Sequence, residues 1–251
     1  MQRVLITLAG LVASCLAAPA MVGGAGPAAD GIARSVVLIV GSRGNACTGV
    51  ALARDLILTV AHCVLPGADY KIVEFDSARQ PQLRDVASVT AHPKFDLQSL
   101  LGHRATADLA LLKLVVPLAS VEPAPLGPAG GTVAPGDEFT VAGTGVAIRG
   151  DGKSGGVVRA ATLVATGKPG TLQIRLVDPA TNGETPGRGA CTGDSGAPVF
   201  RNLNRPAVIG LVSWSTGPRN SGGCGGLTGV TPLVLYRDWI LQTAKALGNQ
   251  F

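Results

Sequence analysis

Along the chain, apolar residues gather in short runs or alternate with polar ones, and turn-forming residues separate the runs. Segments 35–40, 48–53, 56–60, 109–115, 139–143, 157–165, 172–177 and 208–214 all have this character. Runs this short, bounded by Gly, Pro, Asn, Asp or Ser, predict β-strands. One stretch departs from the pattern. Tyr236, Trp239, Ile240, Thr243 and Leu247 recur at the spacing of a helix face, so an α-helix is expected over 235–247. Segment 117–136 contains Pro117 and four further prolines, and reads as a surface crossover between two β units. These features describe barrel or sandwich material closed by one helix.

Composition agrees with a folded, turn-rich chain: of 251 residues, 46% are hydrophobic and 15% charged, with 35 Gly and 17 Pro. The formal charge is +5, but the basic residues are scattered and none of their runs is interleaved with aromatics, so no nucleic-acid partner is expected. The first residues carry one charge, Arg3, followed by the apolar stretch 4–18 and then Ala18-Pro19-Ala20. That layout is an export signal of bacterial type, residues 1–20, cleaved after Ala20. Pro19 and the glycines at 23, 24 and 26 stop the apolar run short of the ~20 residues needed to cross a bilayer, so no stable membrane insertion is expected after cleavage. A competing reading takes Val12-Ala13-Ser14-Cys15 as a lipoprotein box that anchors the chain through Cys15. The destination is extracellular or periplasmic, and there the four cysteines left after cleavage, Cys47, Cys63, Cys191 and Cys224, are expected to form two disulfides. Gaps of 16 and 33 residues within these cysteines are not the tight spacing of a metal site, so neither metal nor cofactor is expected.

Three segments carry chemistry. Leu58-Thr59-Val60-Ala61-His62-Cys63 places a histidine at the end of an apolar strand beside a cysteine suited to pin it. Ala107-Asp108-Leu109-Ala110-Leu111-Leu112 puts an aspartate at the mouth of another apolar strand, where an unpartnered acid costs several kcal/mol to bury. In Cys191-Thr192-Gly193-Asp194-Ser195-Gly196-Ala197-Pro198, glycines flank a serine and permit a tight turn that exposes its hydroxyl. Hydroxyl attack on an amide needs a base to take its proton, and a carboxylate to hold that base in one tautomer. His62, Asp108 and Ser195 supply those parts in that order. An esterase of the α/β-hydrolase kind would run Ser, acid, His instead.

Through these three blocks the sequence resembles the chymotrypsin/trypsin family of serine proteases over essentially all of residues 21 to 247. The resemblance implies two six-stranded antiparallel β-barrels, roughly 21–125 and 126–234, in one protease domain of 21–251 that closes on the helix at 235–247. It implies a catalytic triad of His62, Asp108 and Ser195, an oxyanion hole from the N–H groups of Gly193 and Ser195, and disulfides Cys47–Cys63 and Cys191–Cys224. Met21-Val22-Gly23-Gly24 is similar to the family's mature N-terminus, whose ammonium pairs with the aspartate before the nucleophile, here Asp194. Signal cleavage after Ala20 then matures the enzyme directly. The specificity pocket falls to Gly189 and Ala190 at its floor and to Ser213, Trp214, Ser215 and Gly229 in its walls, with Ser213 and Trp214 also hydrogen-bonding an extended peptide. With no acid at 189 or 190, small or medium apolar side chains are expected in preference to basic ones. A monomeric endopeptidase acting on polypeptides follows, and the alternative is an inactive homologue that binds a partner. His92 and His103 have no partner pattern and read as surface or turn residues.

Overall fold

Thirteen strands and three helices make up the computed structural model, which describes residues 21–76, 78, 80–167, 172–201 and 205–250; the expected signal segment, with Cys15, lies outside them. In chain order these are β1 (Gly26–Pro27), α1 (Asp30–Ala33), β2 (Val36–Gly41), β3 (Ala46–Ala53), β4 (Leu56–Thr59), β5 (Tyr70–Phe75), β6 (Pro81–Ala91), α2 (Leu97–Leu101), β7 (Ala110–Leu114), β8 (Glu138–Gly143), β9 (Arg159–Ala165), β10 (Ile174–Val177), β11 (Pro198–Arg201), β12 (Ala207–Ser215), β13 (Thr228–Pro232) and α3 (Arg237–Ala246). No helix among the described residues is long and apolar enough to cross a membrane.

The first barrel closes in the order β2-β3-β4-β7-β6-β5, with every pairing antiparallel. Strands β8, β9, β10, β13, β12 and β11 pair in turn, and β11 returns to β8, so the second barrel is closed as well. Strand β1 adds to the outside of β9. Each barrel fills itself with the large residues of its apolar runs: Ile39, Leu56, Ile57, Leu58, Ile72, Leu111 and Leu112 in the first, and Phe139, Val141, Leu163, Leu176, Val199 and Val230 in the second, all almost fully buried. Among the described residues, closure pairs both edges of each six-stranded sheet.

The closing helix follows the second barrel but packs on the first, burying Ile240 and Ala244 against that core with Trp239, Tyr236 and Leu247 beside them. It begins at Arg237 because the residues before it, Leu233–Tyr236, are wound as a 3-10 turn. Segment 117–136 does cross between the barrels, yet it is not a loop on the surface throughout. Leu118, Val121 and Ala124 are buried, and Gly127 N–H donates to the Val208 carbonyl at 2.8 Å. Glu74 explains how the crossover is fastened: its buried carboxylate accepts from Ala119 N–H (2.8 Å), from the N–H (3.0 Å) and hydroxyl (2.9 Å) of Ser120, and from Arg84 Nε (2.7 Å). Burial alone raises such a carboxyl, but these donors outweigh it and hold Glu74 below the usual carboxylate range.

Candidate active site

His62 and Asp108 are 46 residues apart and meet because of strand register. Strand β4 pairs with β7 so that Thr59 faces Ala110, which sets the residues just after β4 beside those just before β7. His62 sits in the 3-10 turn Ala61–Val64, and Asp108 two residues ahead of Ala110. Asp108 is wholly buried and fully engaged: Oδ2 lies 2.8 Å from His62 Nδ1 and accepts from Ser213 Oγ at 2.6 Å, while Oδ1 accepts from the His62 N–H at 3.0 Å. Because a carboxylate only accepts, Nδ1 carries a ring proton, and in the neutral imidazole the lone pair then falls to Nε2. Ser213 on β12 was expected in the pocket wall. Its hydroxyl donates to Asp108, which ties the second barrel to the acid.

Ser195 stands on a turn that needs glycine at two places. Gly193 has φ +91° and Gly196 φ +83°. A side chain at Gly193 would put its Cβ 2.9 Å from the Gly145 Cα, and one at Gly196 would run into the Thr48 carbonyl and Thr59 hydroxyl. The turn presses against the first barrel: Thr48 N–H donates to the Ser195 carbonyl at 2.8 Å, and the Cys63 sulfur lies 3.8 Å from that same oxygen. Disulfides Cys47–Cys63 and Cys191–Cys224 are both formed. The neighbours of His62 and of Thr48 are thereby one covalent unit touching the Ser195 turn. Within that turn, the N–H groups of Asp194, Gly196 and Ala197 bond to carbonyls of the protein. Those of Gly193 and Ser195 donate to no group among the described residues.

Asp194 is completely buried, and each carboxyl oxygen accepts one backbone N–H, from Gly145 and from Cys191, both at 2.9 Å. Burial pushes its carboxyl up to about 7, and the two N–H donors only partly oppose that. Gly145 has to be glycine here, since a Cβ would lie 2.6 Å from the Asp194 carboxyl carbon. Met21 is fully buried in the second core, and Val22 bridges to Gly189, whose N–H donates to the Val22 carbonyl at 3.3 Å.

At the expected pocket, a Cβ on Gly189 would lie 3.3 Å from the hydroxyl of Thr228, and that hydroxyl accepts from Ala190 N–H at 3.1 Å. Thr228 thus borders the floor, a residue the motif reading passed over in favour of its neighbour Gly229. Gly229 lies under the Trp214 indole, where any side chain would overlap the ring. Ser215 keeps its hydroxyl near the Gly223 carbonyl at 3.5 Å. His103 is an exposed turn residue with φ +51°, but its ring stacks on Trp214 at 4.6 Å between centroids. His92 departs from expectation: it is buried, packs against Tyr236 and Trp239 with centroids 5.1 and 4.7 Å away, and accepts from Lys94 N–H at 3.1 Å. The helix packing on the first barrel covers it, which adjacent sequence cannot reveal. Burial, and then the Lys94 charge, lower its imidazole below the ordinary value. No cluster of three or more His, Cys, Asp or Glu able to hold a metal is found among the described residues.

Two closed antiparallel barrels, with a part-exposed histidine held by a buried aspartate that also bonds across to the second barrel, define the chymotrypsin-like class of β proteins. Comparison with known proteins specifies the family. The trypsin family model matches residues 22–240. The chain is 31% identical to kallikrein-12 of Homo sapiens over 213 residues, covering 77% of this chain and 79% of that protein. It is 29% identical to the vitellin-degrading protease of Bombyx mori over 211 residues, covering 78% and 75%, and 25% identical to a trypsin of Phaedon cochleariae over 224 residues, covering 79% of each. A solved mutant of human heparin binding protein superposes with a TM-score of 0.71 over 89% of this chain and 96% of that one, at 23% identity, a likeness of fold. The chain belongs to the trypsin family of serine endopeptidases.

Proposed function

We propose that this protein cleaves peptide bonds through an acyl-enzyme on Ser195. His62 Nε2 takes the proton from the Ser195 hydroxyl as it attacks the scissile carbonyl and later returns it to the leaving amine, while Asp108 holds the ring and offsets the imidazolium charge. The observation that carries this reading is the fully partnered Asp108, whose 2.8 Å contact to His62 Nδ1 reserves Nε2 as the base. The unpartnered N–H groups of Gly193 and Ser195 are suited to the oxyanion, and losing one such donor costs about 100- to 1000-fold in rate. The alternative of an inactive binding homologue finds no support in relatives that are named as proteases.

The substrate side chain enters between Gly189, Ala190 and the 213–215 segment. Thr228 narrows the floor and places a hydroxyl, not a charge, beside Gly189, which favours small or medium apolar residues over Arg or Lys. Export by a signal ending at Ala20 delivers the chain to an oxidising compartment, in keeping with its two disulfides. The new Met21 ammonium then pairs with Asp194; the full burial of both residues, with Met21 in the same core cluster as Ala190 and Ala197, supports this. The mature protein acts as a monomer. A peptide library digested with the wild type and with Ser195→Ala tests the proposal. Cleavage after small or medium apolar residues is expected, falling by about 10⁴- to 10⁶-fold in the variant. Dominant cleavage after Arg or Lys contradicts the pocket assignment, and undiminished cleavage by Ser195→Ala contradicts the mechanism.

A further inference from the structure

We infer that Thr48, on β3 of the first barrel, is a positioning residue for the oxyanion hole of the second. The inference rests on the assignment of the Gly193 and Ser195 N–H groups to the oxyanion. Thr48 grips both of those residues from behind: its N–H donates to the Ser195 carbonyl at 2.8 Å, and its Oγ1 lies 2.8 Å from the Gly193 carbonyl oxygen. A carbonyl cannot donate, so the single hydroxyl proton of Thr48 goes to Gly193.

The same oxygen accepts from Thr144 N–H at 3.0 Å and lies 2.9 Å from Thr144 Oγ1. With the Thr48 proton committed, the Thr144 hydroxyl must be the donor of that pair. Thr48 Oγ1 is then saturated, with one donated bond and two accepted ones, and both threonines are buried. A buried hydroxyl satisfied in all its positions is strongly fixed in orientation, since losing any bond strands a polar group out of water. What it fixes is the peptide joining Gly193 to Asp194.

That peptide needs fixing. Gly193 has φ +91°, and glycine has more backbone conformations open to it than any other residue, so local sterics alone hold its N–H direction weakly. Asp194, its neighbour, is anchored by Gly145 and Cys191. With Thr48 holding the two carbonyls, the Gly193 and Ser195 N–H groups remain aimed together and free of internal partners. Oxyanion stabilisation depends on preorganised donors, and a clamp on the peptide planes that follow Gly193 and Ser195, each one residue along from the plane carrying the donor N–H, therefore acts on the transition state. The clamp also links the nucleophile turn to the segment carrying His62, because Cys47, next to Thr48, is disulfide-bonded to Cys63.

The test is a series at one site, Thr48→Ser, Thr48→Val and Thr48→Ala, in the mature enzyme, with kcat expressed per site titrated by a serine-directed phosphonate. Loss of the hydroxyl in Thr48→Val and Thr48→Ala is expected to lower kcat by about 10- to 100-fold while KM changes by less than about 3-fold. Binding of a peptide aldehyde, which needs the oxyanion hole, weakens in proportion, and the pH profile of kcat keeps its shape. Thr48→Ser keeps the donor and recovers most of kcat. Alanine serves if valine prevents folding, and the order must follow the hydroxyl rather than volume. Activity retained by valine and lost by serine overturns the inference, as does a per-site kcat in Thr48→Val and Thr48→Ala equal to wild type. A wild type that neither reacts with the phosphonate nor cleaves peptide overturns the triad reading itself, and the clamp with it.

Discussion

Asp194 concentrates the consequences of single-residue burial. In a chain that keeps its first 20 residues, no ammonium stands at Met21, and the folded-state carboxyl is raised to about 7 against 3.8 unpaired. A raised folded-state value means the native protein holds the proton more tightly than the unfolded one. The stabilising contribution is therefore complete below about pH 4 and is lost as pH rises through 7, by up to roughly 4 kcal/mol. In the form starting at Met21 the sign reverses: a paired Asp194 falls below its unfolded value, and its contribution is present above about pH 4 and lost as the solution is acidified. Denaturant midpoints of the two forms, measured from pH 2 to 8 with each N-terminus confirmed by mass, should diverge: the form that keeps its first 20 residues loses stability between about pH 4 and 7, where the form starting at Met21 holds level, and the latter loses stability below about pH 4. Parallel slopes would contradict the pairing of Met21 with Asp194. Thr228 and Thr48 show the other side of residue-scale reading, since both act through a hydroxyl aimed at a segment far away in sequence.

At the scale of elements, the legible strands were those with uninterrupted apolar runs. The segments read at 35–40, 56–60, 109–115, 139–143 and 208–214 correspond closely to β2, β4, β7, β8 and β12. Strands β5, β6, β11 and β13 escaped the pattern for physical reasons. β6 is eleven residues long yet largely exposed, so Gln82, Arg84, Asp85 and Ser88 dilute its apolar signal. β5 hides its inward polar residue, Glu74, behind hydrogen bonds that only tertiary structure supplies, and β11 and β13 are short and carry prolines at their ends. The candidate residues His62, Asp108 and Ser195 stand out because their motifs are local, whereas the Thr48–Thr144 and Ala190–Thr228 contacts join separate elements and leave no local trace. Loop closure decides how the elements respond to losing a disulfide. Replacing Cys191 and Cys224 by Ala frees a separation of 33 residues and should cost about 4 kcal/mol, against about 3 kcal/mol for Cys47 and Cys63 at 16 residues. Guanidinium unfolding of the two double variants tests this, and equal midpoints to wild type contradict it.

Across the whole molecule, the two barrels contribute unlike parts to one site. The first supplies His62 and Asp108 through the register of β4 and β7, and the second supplies Ser195, the buried Asp194 and the proposed specificity pocket at Gly189. Ser213, Thr48 and Thr144 bond across the joint, so the relative placement of the barrels is also the placement of the reacting groups. The most direct measurement of the central claim is labelling of the wild-type protein with a serine-directed phosphonate, followed by intact mass and peptide mapping. A single adduct per chain on Ser195, absent from His62→Ala, is the result this account requires. A protein left unlabelled, or labelled on a different serine, contradicts it.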